Sequence, residues 1–166
     1  MSPKAAYFWP VLLTLVSSDC ATKHLAQTHL VPAHVPHPVA GEVVRLTLAY
    51  NRGAAFGIET GPNGRWLLVT LSLGVILGLV GLYRQASARE RLLVIALGLT
   101  AGGAVGNLLD RVRSPRGVVD FIDLGIGDAR FWVFNLADAG ISVGAILLGF
   151  ALWRRLRMTP SPERTR

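Results

Sequence analysis

The chain alternates long uncharged apolar runs with short polar segments. Two runs, Trp66–Tyr83 and Phe131–Trp153, approach the length of about 20 residues that a helix needs to cross a bilayer, and a third begins near Leu92. The first apolar run, Ala5–Ser18, is shorter. Lys4, an apolar run, small residues and then Cys20 follow the layout of a lipoprotein signal peptide, but Asp19 stands where a small residue should precede the cysteine. A retained helix continuing to about Gln27 is therefore expected, with Asp19 and Lys23 four apart on one face. The pattern predicts an α-helical membrane protein of four spans, near residues 5–27, 66–83, 92–111 and 131–153. These form one integral membrane domain over residues 1–158, followed by a polar tail, 159–166.

Between the first two spans the pattern changes. His29–Pro38 holds three prolines and three histidines and reads as a solvated loop. No cysteine or spaced carboxylate joins His34 and His37 in a metal site, so no metal or cofactor is expected. Glu42–Tyr50 alternates, with Val44, Leu46, Leu48 and Tyr50 on one side, which predicts a half-buried strand. It runs into Asn51-Arg52-Gly53-Ala54-Ala55-Phe56-Gly57, where small residues permit close backbone approach. Asn51 there is either a turn residue or a group that offers donor and acceptor to a peptide. Thr70, Gly74 and Gly78, and again Gly98, Gly102 and Gly106, recur at four-residue intervals. Such ridges suit close helix packing, and these two helices are expected to pack together.

Composition sharpens the membrane reading. The chain is 51% hydrophobic and 16% charged, against about 25% charged in ordinary soluble proteins. A net charge of +7 would suggest nucleic acid in a soluble protein, but here the basic residues gather at the ends of apolar runs. No nucleic-acid partner is expected; membrane lipids are. Arg84, Arg89 and Arg91 crowd one loop, and Arg154, Arg155, Arg157, Arg164 and Arg166 crowd the tail, which predicts that both are cytoplasmic. Both termini then lie inside. Cys20 is the lone cysteine and can form no internal disulfide.

Against this background the acids stand out. Asp138 lies in a run otherwise free of charge, and an ionisable group in a membrane span reads as functional. Asp120 sits between Val118-Val119 and Phe121-Ile122, again amid apolar neighbours. Two carboxylates in a poorly hydrated site share a proton, which suits activation of a water. Asn107 and Arg111 are one helical turn apart. Their spacing admits two readings, a group that orients a carboxylate or a helix end closed by a local Asp110–Arg111 ion pair. Asn135, Asp138 and Ser142 share a helical face. By the predicted topology Asp19, Asn51, Asn107, Asp120 and Asp138 converge from separate segments on one extracytoplasmic face. Relay carboxylates of a small transporter are the rival reading, but that leaves the strand and the Gly53–Gly57 segment unexplained.

Five stretches in order carry a family resemblance. They are Asp19-Cys20-Ala21-Thr22-Lys23, Asn51 to Gly57, Gly106-Asn107-Leu108-Leu109-Asp110-Arg111, Val119-Asp120-Phe121-Ile122 and Phe134-Asn135-Leu136-Ala137-Asp138. On these the chain resembles lipoprotein signal peptidase (signal peptidase II), the bacterial membrane aspartyl protease family. The resemblance implies that Asp120 and Asp138 are the catalytic dyad, with Asp19, Lys23, Asn51, Gly53, Asn107, Arg111, Asn135 and Ala137 shaping the site or engaging substrate. It implies a small extracytoplasmic β-sheet near residues 40–58, and a monomeric inner-membrane enzyme that uses neither metal nor covalent intermediate. The implied substrate is a diacylglyceryl-modified prolipoprotein, cleaved before its lipidated cysteine.

Overall fold

The computed structural model describes residues 2–53 and 64–158. Its elements follow in the order α1 (Ala5–His29), β1 (His37–Ala40), β2 (Val44–Asn51), α2 (Gly64–Gln85), α3 (Arg91–Arg113), β3 (Val118–Ile126), β4 (Ala129–Arg130) and α4 (Leu136–Met158). By length and composition α2, α3 and α4 are apolar enough to cross a membrane. α1 is long enough, at 25 residues, but carries Asp19 and Lys23 in its second half and is not among those three. The fold is therefore that of a multi-pass helical membrane protein with a small antiparallel sheet.

α3 is the centre of the bundle. Of its most apolar stretch 67% is buried inside the protein, against 17% for α2 and for α4. Near one end Phe8, Leu79, Leu93, Val94 and Leu97 form a core that joins α1, α2 and α3, with Tyr83 and Leu152 packed against it. At the other end α1 leaves the bundle and lays Ala26 and Leu30 on Leu48, Val119 and Phe121 of the sheet. Apolar burial thus clamps the sheet to the helices at the end where the acids lie.

The two glycine ridges do not meet. Gly98 and Gly102 face Phe8, Val11, Leu12 and Leu15 of α1, whereas nothing lies within 4 Å of where a Cβ would stand on Gly74 or Gly78. α2 instead packs through large residues, Leu79, Leu82 and Tyr83. Periodic small residues permit close approach without specifying the partner. At Gly106 the approach is required: a Cβ there would lie 2.6 Å from Asp19 Oδ2.

The sheet has the order β1-β2-β3-β4, antiparallel throughout. The strand expected over 42–50 is β2, and its register with β3 sets Ala49 opposite Asp120 and Asn51 opposite Val118. The segment read as loop, His29–Pro38, gives its last residues to β1. An edge strand accepts Pro38 because one side of its ladder is unpaired. Positions 54–57 of the expected glycine-rich segment, and the tail from 159, lie outside the described residues.

The fourth helix starts at Leu136 rather than near Phe131. Phe131 donates its N–H to Leu124 O at 2.7 Å, and Phe134 exchanges backbone hydrogen bonds with Ile122 at 2.8 and 3.0 Å. The apolar residues 131–134 are thus extended chain along β3. Hydrophobicity alone does not separate a buried extended segment from a buried helix.

Candidate active site

The chain builds its polar centre where β3 passes the end of α3 and the start of α4. Asn135 caps α4. Its Oδ1 accepts the N–H of Asp138 at 2.9 Å, and Asp138 Oδ2 accepts the N–H of Asn135 at 3.2 Å. This reciprocal pair is a capping box, which satisfies two orphan donors and fixes the Asp138 side chain at the helix start. The positive end of the helix dipole favours a negative charge at that place.

Asn135 is fully buried and reaches both acids. While its Oδ1 holds Asp138, its amide nitrogen donates to Asp120 Oδ1 at 2.6 Å. Asp120 is 2% exposed and stands on β3 beside Asn51, which also hydrogen-bonds its side chain. Burial, foremost, and the neighbouring charge of Asp138 push the Asp120 carboxyl up from 3.8 to about 7, while Asn135, Asn51 and Lys23 pull the other way. A carboxyl that keeps its proton at neutral pH beside one set at a helix N-terminus is the arrangement of an acid and a base.

Charged groups from α1 and α3 support the pair. Asn107 donates to Asp138 Oδ1 at 2.7 Å and accepts from Lys23 Nζ at 3.0 Å. Lys23, itself 3% exposed, lies 2.7 Å from Asp19 and 2.9 Å from Asp110. Its ammonium has three protons and here meets three acceptors. Asp19 also accepts the N–H of Ala137 at 3.0 Å, which ties α1 to the first turn of α4. Asp110 accepts the N–H of Val119 at 3.2 Å, which ties α3 to the strand that carries Asp120.

All ten residues singled out in the sequence fall in this one region. Asn107 and Asn135 hydrogen-bond the two aspartates, and Lys23, Asp19 and Ala137 are joined to them through Asn107 and the first turn of α4. Gly53 donates its N–H to Asn51 Oδ1 at 2.9 Å, so Asn51 both turns the chain and meets Asp120. Arg111 donates to Gly53 O and Asn107 O, each at 3.3 Å, and interacts by charge with Asp138, Asp120 and Asp110. Among the described residues no hydrogen bond joins Arg111 to either aspartate, and no Asp110–Arg111 ion pair forms. Asp110 is the supporting residue that spacing did not single out. The signal was present in the stretch Gly106–Arg111, but the adjacent arginine suggested a local pair.

Asp123 belongs elsewhere. Three residues after Asp120 on β3, it stands where that strand pairs with Arg45 of β2. There Arg130 donates to Asp123 Oδ1 at 2.7 and 2.9 Å, and Thr47 donates to Oδ2 at 3.0 Å.

Comparison with known proteins bears on this arrangement. The family model described as signal peptidase (SPase) II matches residues 11–154. A lipoprotein signal peptidase of Hydrogenovibrio crunogenus is 40% identical over 146 residues, which is 84% of this chain and 80% of that protein. One from Burkholderia vietnamiensis is 43% identical over 116 residues, 69% of each chain. One from Geobacillus kaustophilus is 39% identical over 143 residues, 86% of this chain and 90% of that one. Among solved structures, a bacterial membrane enzyme determined by the in meso method at 2.3 Å superposes with a TM-score of 0.79 at 26% identity, over 94% of this chain and 92% of the other. A second, at 1.9 Å, gives 0.74 at 30% identity, over 86% and 89%.

Proposed function

The chain belongs to the signal peptidase II family and removes signal peptides from prolipoproteins, and we propose that Asp120 and Asp138 are the pair that cleaves the peptide bond. The observation that carries this reading is Asn135, whose side-chain amide donates to the Asp120 carboxyl while its backbone N–H donates to the Asp138 carboxyl. Asp138, set at the helix start, takes a proton from water as the water oxygen attacks the carbonyl carbon. Asp120, protonated, donates to the carbonyl oxygen. When the tetrahedral intermediate collapses the C–N bond breaks, the departing amine takes the proton held by Asp138, and a hydroxyl of the intermediate returns a proton to Asp120 as the carbonyl re-forms. Water is consumed, one acid and one amine are released, and the pair returns to its starting protonation.

The substrate of this reading is a diacylglyceryl-modified prolipoprotein, cut before the lipidated cysteine, with the lipid left in the acyl layer of the membrane. α1 completes a four-span bundle in the bacterial inner membrane, and the enzyme acts as a monomer. Both termini are cytoplasmic and the dyad opens on the extracytoplasmic face. Arginine placement supports that orientation, because Arg84, Arg89 and Arg91 lie at the opposite end of the bundle from Asp120. A cysteine label at Ser87 should react only from the cytoplasm, and reaction from outside would overturn the topology.

Incubation with a lipid-modified prolipoprotein tests the dyad. Asp120→Asn and Asp138→Asn keep the size of the side chain but neither can exchange the proton. Each should lower turnover by at least about 10³-fold, with the protein still folded in the membrane. Cleavage by either variant near the wild-type rate removes that residue from the pair.

A further inference from the structure

α3 ends at Arg113, and its last two turns carry much of the site: Asn107, then Asp110 and Arg111. The final carbonyl groups of a helix have no partner within it. Two of them are held from outside, because Arg65 at the start of α2 donates Nε–H to Arg111 O at 2.6 Å and a terminal N–H to Val112 O at 2.8 Å. The Arg65 guanidinium also lies 4.9 Å from the centre of the Trp66 ring, which fixes its plane. Its positive charge meets the negative end of the α3 dipole. A planar fork on two successive carbonyls resists rotation of the turn, which a point charge on one carbonyl does not.

The residue held in this way is Arg111 itself. Its main-chain oxygen is fixed by Arg65, while its guanidinium reaches Gly53 O at 3.3 Å and acts by charge on Asp138 and Asp120. A rotation of the last turn would carry that guanidinium away from both carboxylates. It would also disturb Asp110, which holds Lys23 and the backbone of Val119 next to Asp120.

We propose that Arg65 is a positioning residue for peptide cleavage: its fork on Arg111 O and Val112 O sets the rotation of the last turn of α3, and so the place of Arg111 beside the two aspartates. The proposal rests on the reading of Asp120 and Asp138 as the catalytic pair. Arg65 touches no reacting atom and acts through Arg111.

The test uses the full chain in lipid, a diacylglyceryl-modified prolipoprotein, and the variants Arg65→Gln, Arg65→Lys, Arg111→Ala and Arg65→Gln/Arg111→Ala. Arg65→Gln loses two hydrogen bonds and should lower kcat by about 10-fold or more with KM within about twofold. Arg65→Lys should recover part of that loss. In the double variant the loss should exceed that of Arg111→Ala alone by no more than about twofold, because the effect of Arg65 passes through Arg111. Losses that multiply, or a rise in KM at unchanged kcat, would overturn the proposal. Thermal unfolding is followed for each variant; if Arg65→Gln does not fold, the same cycle is run with Arg65→Lys. Asp120→Asn is assayed alongside. Cleavage by that variant overturns the dyad and the proposal together, whereas a dead Asp120→Asn with multiplying losses at positions 65 and 111 overturns the proposal alone.

Discussion

Asp120 and Asp123 stand three residues apart on β3, and both are buried, at 2% and 6% exposure. Their surroundings differ in kind. Asp123 is held by the guanidinium of Arg130 and the hydroxyl of Thr47, so its charge is matched and its acceptors are filled. Asp120 is given amides, from Asn135 and Asn51, and a second carboxylate in place of a direct cation. Depth of burial therefore does not distinguish the acid proposed to react from the structural one. The partners do: Asp123 meets a cation and a hydroxyl, while an acid faced by another acid retains a proton to give.

Breaking the bridge should produce the largest change in this contrast. Asn135→Ala removes the donor to Asp120 and the cap of Asp138 at once. With each such bond worth about 1.5 kcal/mol or more where a charged group is involved, turnover should fall roughly 100-fold. An effect under about threefold would show that the two acids do not need a common tether.

The pH dependence sharpens the same contrast. The proposed mechanism needs the Asp120 proton, so kcat/KM should fall about tenfold per unit as pH rises beyond about 7. The stability consequence has the opposite sign from that of a matched carboxylate. Asp120 binds its proton more tightly in the folded protein, at about 7, than at its ordinary 3.8, so its contribution is full below 3.8 and is lost as pH rises through 7. Asp120→Asn should therefore unfold at a higher temperature than wild type at pH 8, and show little difference at pH 4. A variant less stable at pH 8 would contradict the crowded-acid description.

The smallest effect on activity belongs to Asp123→Asn. It should stay within about threefold of wild-type turnover while costing about 1–3 kcal/mol of stability, since Arg130 would be left without its charge partner and is itself partly exposed. A dead Asp123→Asn beside an active Asp120→Asn would exchange their roles.

Much of this centre was legible in the chain because membrane surroundings make acids conspicuous. Asp138 in an uncharged run and Asp120 between β-branched and aromatic residues needed no structure to attract notice. The elements that carry them were harder to read. Val118-Val119-Asp120-Phe121-Ile122 has strand composition, yet its partner β2 lies some seventy positions earlier, and pairing over such a distance leaves no local signature. Asn135-x-x-Asp138 has the spacing of a capping box, but it sits inside an apolar run that continues on both sides, so the change from extended chain to helix was masked. α2 and α3 do pack together as expected, but through large residues; the α3 glycine ridge meets α1 instead, because spacing describes one helix face only. Arg65 resembled any cation at the end of a span. Its role depends on which carbonyl groups it meets, and tertiary structure alone supplies that.

The central claim is that Asp120 and Asp138 act as one unit, and a mutant cycle on cleavage tests it most directly. Turnover of a diacylglyceryl-modified prolipoprotein is measured for wild type, Asp120→Asn, Asp138→Asn and the double variant, all in the same lipid. Acids that share one proton-transfer task should be non-additive, so the double variant should lose little beyond either single one. Single losses that multiply in the double variant would mean that the two carboxylates contribute independently, and would contradict the account.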